Sequence, residues 1–76
     1  MPTLRKRSLL IAGHATSIAL EPEFWAVLET LARSEGLSLA GLVGRIDAGR
    51  AGRPLASAAR VAALAYATGG RLPKAE

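Results

Sequence analysis

Cysteine is absent from this chain of 76 residues, so neither a disulfide nor a thiolate metal site can reinforce the fold. Aromatic side chains are also scarce, since Phe24, Trp25 and Tyr66 are the only ones although 50% of the residues are hydrophobic. A chain this short forms one domain, here residues 1–76, and buries only about 60% of its unfolded surface. Its core is therefore thin, and we expect a homodimer.

The groups that carry most enzyme and metal chemistry are missing as well. His14 is the single histidine, and without cysteines or a second histidine it lacks the partners that a metal site needs. We interpret it as a turn residue. The six acidic residues form no evident cluster, and the chain has no nucleophile–base pair and no phosphate-binding glycine loop. The sequence predicts no enzyme activity, metal, cofactor or small-molecule substrate.

Long apolar runs are lacking too. The basic residues Arg5, Lys6 and Arg7 precede the apolar residues 9–12, an order that imitates a signal peptide. The apolar run is shorter than the usual h-region of about 7–15 residues, and no plausible cleavage site follows it. No stretch approaches the roughly 20 apolar residues of a membrane span. We expect a cytoplasmic protein that makes no membrane contact.

Acidic residues are outnumbered by basic ones, ten to six, which gives a net charge of +4 and a pI near 10.8. This charge favours an anionic partner such as nucleic acid, although a solvated basic surface explains it equally well. Residues 1–7 form a basic arm in which Arg5, Lys6 and Arg7 would neutralise phosphates. A disordered, merely solubilising N-terminus is the alternative.

Residues 16–20 alternate small or polar with apolar side chains, which is the period of a half-buried strand. The whole segment 8–20 is predicted to be a ribbon made of either one long strand or a hairpin. A two-residue turn of Gly13 and the following histidine would pair Leu9 with Ile18. Leu9 and Ile11 would then share the apolar face of the ribbon. A single straight strand would place them on the face opposite Ile18, so the hairpin explains the pattern better.

Three helices are predicted after the ribbon. The first, 22–35, opens with proline and acidic residues and stops at Gly36. Ser38 caps the second, 38–48, and an alanine-rich third helix, 55–68, precedes a tail, 69–76. The third helix has little polar surface, so the partner subunit or another protein must cover it. The residues that we assign to the dimer core are Ile18, Leu20, Trp25, Leu28, Leu42, Val43 and Ile46.

The order of a strand, a helix, a glycine turn and a second helix resembles the ribbon-helix-helix family of small bacterial DNA-binding proteins. The text "SIALEPEFWAVLETLARSEGLSLAGLVGRI" carries this resemblance, and the opening matches the pattern "KRSxxIAGHxTSxxLE" of a short branch of that family. The resemblance implies an α+β, mostly helical fold, with an N-terminal strand or hairpin and an extra C-terminal helix, in an intertwined homodimer. It also implies a transcriptional regulator that binds duplex DNA.

In that family two antiparallel strands, one per subunit, enter the major groove and contact bases with their outward side chains. The corresponding residues here are Ala15, Ser17 and Ala19. Similar chains usually carry an arginine in place of Ala15, and of the three only Ser17 can hydrogen-bond to a base. The family also clamps the DNA backbone at the start of the second helix, which corresponds to Ser38, Leu39 and Ala40.

A second hypothesis fits the same scaffold. The alanines at 15 and 19 are poor base readers, and an added strand would widen the ribbon of a dimer toward four strands. The chain would then be a dimeric protein-interaction module without sequence-specific DNA binding, using its third helix or Trp25 to bind another protein. An antitoxin-like protein that binds both DNA and a toxin combines the two hypotheses.

Overall fold

A β-hairpin followed by three helices makes up the fold, and the computed structural model describes residues 3–69 of it. The strands are β1 (Arg5–Ile11) and β2 (His14–Leu20), and the helices are α1 (Pro22–Ser34), α2 (Leu39–Gly49) and α3 (Leu55–Ala67). The structure therefore confirms the α+β, mostly helical class and the extra C-terminal helix, and it has the hairpin rather than the single long strand. Residues 70–76 of the predicted tail and residues 1–2 of the predicted arm lie outside the described residues.

The hairpin turn consists of Ala12 and Gly13. The predicted turn is therefore wrong by one residue, and the predicted strand pairing is wrong by two. Leu9 pairs with Thr16, and Ile18 pairs with Arg7. Ala12 and Gly13 both have positive φ, 52° and 83°, as the tight turn that matches strand twist requires. The observed and predicted registers differ by two residues, and a shift by an even number leaves each side chain on the same face of the hairpin. The predicted apolar face is therefore correct.

One face of the hairpin packs onto the helices. Ile11, Ile18 and Leu20 are buried there, and a Cβ on Gly44 of α2 would lie 3.7 Å from Ile11 Cγ2. The residues that the sequence assigned to a dimer core are all buried within this single chain, namely Ile18, Leu20, Trp25, Leu28, Leu42, Val43 and Ile46. Their burial therefore does not depend on a second subunit.

The third helix closes this core. Helix α3 contacts α1, α2 and β2, and its inward face consists of Ala58, Ala59, Ala62 and Ala63, all buried. Small side chains allow the helix to lie close to its neighbours, so its own chain covers the face that we expected a partner to cover. The opposite face remains apolar, with Val61 43% and Leu64 60% exposed.

The chain reverses between α1 and α2 at Gly36, whose φ of +69° suits glycine. The Leu37 N–H donates to the Ala32 carbonyl at 2.8 Å, and the Gly36 N–H donates to the Arg33 carbonyl at 3.1 Å. These two bonds form a Schellman motif, which satisfies the last carbonyls of α1. The motif fixes where α2 begins, and thereby positions the first element of the candidate site.

Candidate nucleic-acid interface

The outer face of the hairpin points away from the helices and forms the main part of the candidate site. Strand alternation puts the side chains that pair across β1 and β2 on the same face. The members of this outer face are Lys6, Ser8, Leu10, Ala15, Ser17 and Ala19. All are exposed except Ala19, which is half-buried. The three predicted ribbon residues 15, 17 and 19 therefore lie together, as expected.

Three cross-strand pairs divide the outer face into polar and apolar parts. Lys6 lies opposite Ala19 at the open end of the hairpin, and Ser8 lies opposite Ser17 in the middle. The two serine Oγ atoms are 3.1 Å apart and share a hydrogen bond. Leu10, 68% exposed, pairs with the alanine at 15 near the turn. The surface thus runs from a cation through two hydroxyls to an apolar end.

Arg7 belongs to the other face. Its Nη1 lies 2.7 Å from Glu29 Oε2 of α1, and its guanidinium lies 4.8 Å from the centre of the Trp25 ring. Trp25 in turn donates its indole N–H to the backbone carbonyl of Arg5 at 2.8 Å. The three residues of the predicted basic arm are therefore part of β1, and the structure separates Arg7 from the face that carries Lys6.

The start of α2 is the second part of the candidate site. The Ser38 hydroxyl accepts a hydrogen bond from the Gly41 N–H at 3.0 Å and caps the helix. The N–H groups of Leu39 and Ala40 lie in the first helical turn, so the helix itself supplies no acceptor for them. Ser38 is exposed. This terminus can accept an anion, because its N–H groups and the helix dipole both favour negative charge.

The charges around the hairpin leave its outer face positive. The hairpin sequence contains no acidic residue. Within residues 3–69 the acidic side chains that form ion pairs all do so with arginine, in the pairs Glu29 with Arg7, Glu35 with Arg45, Asp47 with Arg50 and Glu21 with Arg60. No ion pair in this part of the chain involves Lys6 or Arg5. Their positive charges are therefore available to an anionic partner.

The pair of Glu21 and Arg60 stabilises the start of α1 on its other side. Arg60 Nε donates to Glu21 Oε1 at 3.0 Å, and its guanidinium lies 5.8 Å from the centre of the Phe24 ring. A hydrogen bond from its own backbone N–H, and then the bond from Arg60, lower the pKa of the Glu21 carboxyl below its usual 4.5. The folded chain thus favours the ionised form of this carboxyl.

Between residues 3 and 69 no group of three or more His, Asp or Glu side chains could hold a metal ion. His14 is exposed at the first position of β2, immediately after the turn rather than within it. No helix in this range is long and apolar enough to cross a membrane.

Sequence reasoning missed two residues of the outer face. Ser8 and Leu10 lie in the added strand β1, whereas the base contacts predicted from the sequence come from β2 alone. The alternation of β1 already placed Ser8 and Leu10 opposite the apolar face of Leu9 and Ile11, so the signal was present. Lys6 falls in the predicted arm, which is either disordered or phosphate-binding. The sequence pattern gives no sign that β1 begins before Ser8.

The geometry agrees with a known family. A model of the ribbon-helix-helix domain matches residues 4–67, which is most of the chain. This chain belongs to the ribbon-helix-helix family. The match confirms the family that the sequence resembled, and it includes the hairpin and α3 as well as the strand and two helices that carried the resemblance.

One solved structure shares this ribbon-helix-helix fold. It is that of an uncharacterized protein from Bordetella pertussis Tohama I, with a TM-score of 0.74 and 35% sequence identity. The alignment covers 87% of this chain and 57% of that one, so the chain spans a little over half of that protein. No curated protein matches this sequence. Ribbon-helix-helix domains are typically non-enzymatic, DNA-binding transcription regulators, and they usually form homodimers.

Proposed function

We propose that this ribbon-helix-helix protein is a homodimeric, cytoplasmic transcriptional regulator that binds duplex DNA. The observation that carries the proposal is the outer face of its hairpin, which is exposed, free of acid and polar over two of its three residue pairs. The major groove is about 12 Å wide and admits a two-stranded β-ribbon. The family's ribbon takes one strand from each subunit, whereas here one chain supplies two paired strands, so a single hairpin already has the width that the groove accepts.

Phosphate contacts come from positions beside the ribbon. Arg5 and Lys6 neutralise phosphates at the open end of the hairpin, and the capped start of α2 receives another at the N–H groups of Leu39 and Ala40. Arg7 contributes less to DNA binding than the sequence suggested, because Glu29 and Trp25 already hold its guanidinium. Ser17 donates to a base edge from the middle of the ribbon, between Ala15 and Ala19.

The homodimer forms through surfaces other than the chain's own core. The exposed face of α3, with Val61 and Leu64, offers apolar surface that a second copy would cover. Pairing of two hairpins edge to edge would instead produce a four-stranded sheet about 14 Å across between its outer strands, which exceeds the groove width. Dimerisation through α3 leaves both ribbons two-stranded.

The experiment is duplex DNA binding at low and at physiological salt. Wild type is compared with Ser17→Ala and with Arg5→Gln/Lys6→Gln, and Arg33→Gln/Arg53→Gln serves as a control that removes the same charge elsewhere. We expect binding that survives physiological salt, weakens with Ser17→Ala and weakens more with the hairpin double variant than with the control. Equal effects of the two double variants, with no effect at Ser17, would leave only charge attraction.

A protein-interaction module is the second candidate, and one observation favours it. Leu10 is a large apolar side chain, 68% exposed, on the face that the first candidate assigns to DNA. Apolar groups of this kind, set among small side chains, also suit a protein partner. Binding that disappears at physiological salt in the experiment above would favour this candidate.

A further inference from the structure

We infer that a cleft between α1 and α3 binds a small aromatic carboxylate, at a site separate from the hairpin and from the start of α2. The cleft has a volume of about 210 Å³ and is lined by Ala26, Val27, Thr30, Tyr66 and Ala67. None of these side chains is a carboxylate, an imidazole or a thiol, so the site holds a ligand rather than transforming it. The inference goes beyond the proposed function and does not depend on DNA binding.

The walls of the cleft are mostly apolar. Ala26 and Val27 of α1 and Ala67 of α3 contribute methyl groups, and both alanines are exposed, so a ligand can enter from solvent. Pockets for drug-sized molecules have volumes of about 300–1,000 Å³. A cleft of about 210 Å³ therefore suits a smaller molecule, such as a single ring with a short substituent.

Tyr66 makes an aromatic ring the preferred apolar part of this ligand. It is the one aromatic residue of the lining, and it is half-buried. Arginines already cover the rings of Phe24 and Trp25, whereas no cation lies over the Tyr66 ring in the described part of the chain. Two aromatic rings in an offset or edge-to-face contact attract each other beyond the area that they bury. An aromatic ligand therefore gains more from this cleft than an aliphatic one of equal size.

Arg33 supplies the charge that a carboxylate needs. Its Nη2 lies 3.5 Å from the hydroxyl oxygen of Thr30, so the guanidinium lies beside a residue of the lining. The side chain is exposed, and no ion pair between residues 3 and 69 involves it. A guanidinium binds a carboxylate through two parallel N–H donors. An arginine at the rim of an apolar cleft thus matches a ligand with an apolar body and one carboxylate.

The charges along the two helices set the orientation of the ligand. Glu23, which lies one turn before Ala26, is ten residues from Arg33, about 15 Å along a helix. The end of α3, at Ala67, carries about half a negative charge from the helix dipole. Both repel a carboxylate, which therefore lies at Arg33 while the ring of the ligand lies against Tyr66.

The first test titrates phenylacetate into isotope-labelled full-length protein and follows the amide chemical shifts by NMR. We expect saturable shifts at Thr30 and Ala67, with a dissociation constant on the order of 1 mM, as suits so small a ligand. Phenethyl alcohol has a hydroxyl in place of the carboxylate and should bind about tenfold more weakly. Phenethylamine carries the opposite charge and should bind no better than the alcohol.

The second test changes the site. Arg33→Gln should weaken phenylacetate binding about tenfold, because it removes the charge and keeps a polar side chain. Arg53→Gln is the matched control, since Arg53 is also exposed and donates to a nearby hydroxyl, that of Ser57, at 3.2 Å. Ala67→Leu should abolish binding by filling the cleft. Ala48→Leu adds the same side chain at an exposed position of α2 and should bind as wild type. Circular dichroism checks that each variant is folded.

Each outcome decides the inference. Preferential binding of phenylacetate that Arg33→Gln and Ala67→Leu weaken, and that both controls keep, would support it. Tighter binding of phenethylamine than of phenylacetate would overturn the choice of a carboxylate, because the end of α3 would then outweigh Arg33. Absence of saturable shifts with all three compounds would overturn the site. Binding that occurs only in Leu64→Glu would also overturn it, and would mean that a second copy fills the cleft.

Discussion

The guanidinium of Arg7 lies 4.8 Å from the centre of the Trp25 ring while its Nη1 lies 2.7 Å from Glu29 Oε2. The same relationship occurs on the other side of α1, where Arg60 lies over Phe24 and pairs with Glu21. Two consecutive aromatic residues of one helix are thus covered by arginines from β1 and from α3. These contacts join both added elements of the chain to the first helix of the ribbon-helix-helix order.

Loss of the Arg7 contacts should destabilise the protein without unfolding it. Arg7→Met keeps much of the apolar stem and removes the charge, so we expect the free energy of unfolding to fall by about 1 kcal/mol, as a half-exposed ion pair and a cation–π contact predict. Urea denaturation followed by fluorescence of Trp25, the only tryptophan, measures this. Arg33→Met is the control, because within residues 3–69 the Arg33 side chain makes a single hydrogen bond, to the Thr30 hydroxyl at 3.5 Å. An equal loss in both variants would contradict the prediction.

The sequence predicted the helices, and favoured the hairpin over a single strand, because their signals are local. Pro22, Gly36 and Ser38 each act on the backbone within one turn, and the observed helix ends lie within one residue of the predicted ones. Strand alternation likewise fixed which face of the hairpin is apolar. The register could not be predicted, because a shift by two residues preserves that pattern and the observed turn needs a positive φ at Ala12 as well as at Gly13, which alanine does not favour.

The core assignment shows where sequence reasoning stops. Apolar periodicity identified Leu28, Leu42 and Val43 as core residues but carried no information on what covers them. The four alanines on one face of α3 do so within the same chain. An alanine-rich helix gives a weak pattern, because small side chains suit both a close helix contact and an exposed position. The candidate site has the same limit, since Lys6 becomes part of a surface only once β1 is paired.

Acidification should destabilise the protein in part through Glu21. The pKa of Glu21 is lower in the folded chain than in the unfolded chain, so the unfolded state binds the proton more readily. The contribution of Glu21 to stability is therefore present above pH 4.5 and is lost as the pH falls through the lower folded pKa. Glu21→Gln lacks this carboxyl, so it should lose less stability than wild type when the pH falls through the range in which carboxyls titrate. Arg60→Ala, which removes the second cause of the lowered pKa, should give an intermediate loss. Urea midpoints measured across this range test the prediction, and parallel curves for wild type and Glu21→Gln would contradict it.

An added negative charge at the start of α2 should separate stability from DNA binding. Aspartate caps helices about as well as serine, so Ser38→Asp should change the free energy of unfolding by less than about 0.5 kcal/mol, whereas Ser38→Ala should lower it by about 1 kcal/mol. The aspartate also adds negative charge where we propose a phosphate to lie. DNA affinity at physiological salt should therefore fall for Ser38→Asp more than for Ser38→Ala. Fluorescence anisotropy of labelled duplex, measured beside urea melts, checks both expectations. If Ser38→Asp bound DNA as tightly as wild type, this terminus would not contact the backbone.

Disruption of the proposed dimer should leave each chain folded, because one chain already buries its core. Leu64, 60% exposed on α3, lies one turn from Val61, so Leu64→Glu places a charge in the apolar surface that a second copy would cover. We expect wild type to sediment as a dimer and Leu64→Glu as a monomer, with helical circular dichroism retained. Ala48→Glu is the control for an added acidic charge at an exposed position of another helix and should remain dimeric. Since two ribbons bound to one duplex reinforce each other, the monomeric variant should also bind DNA more weakly. A Leu64→Glu protein that stays dimeric would place the subunit contact elsewhere, and one that unfolds on dissociation would mean that the partner is needed to complete the fold.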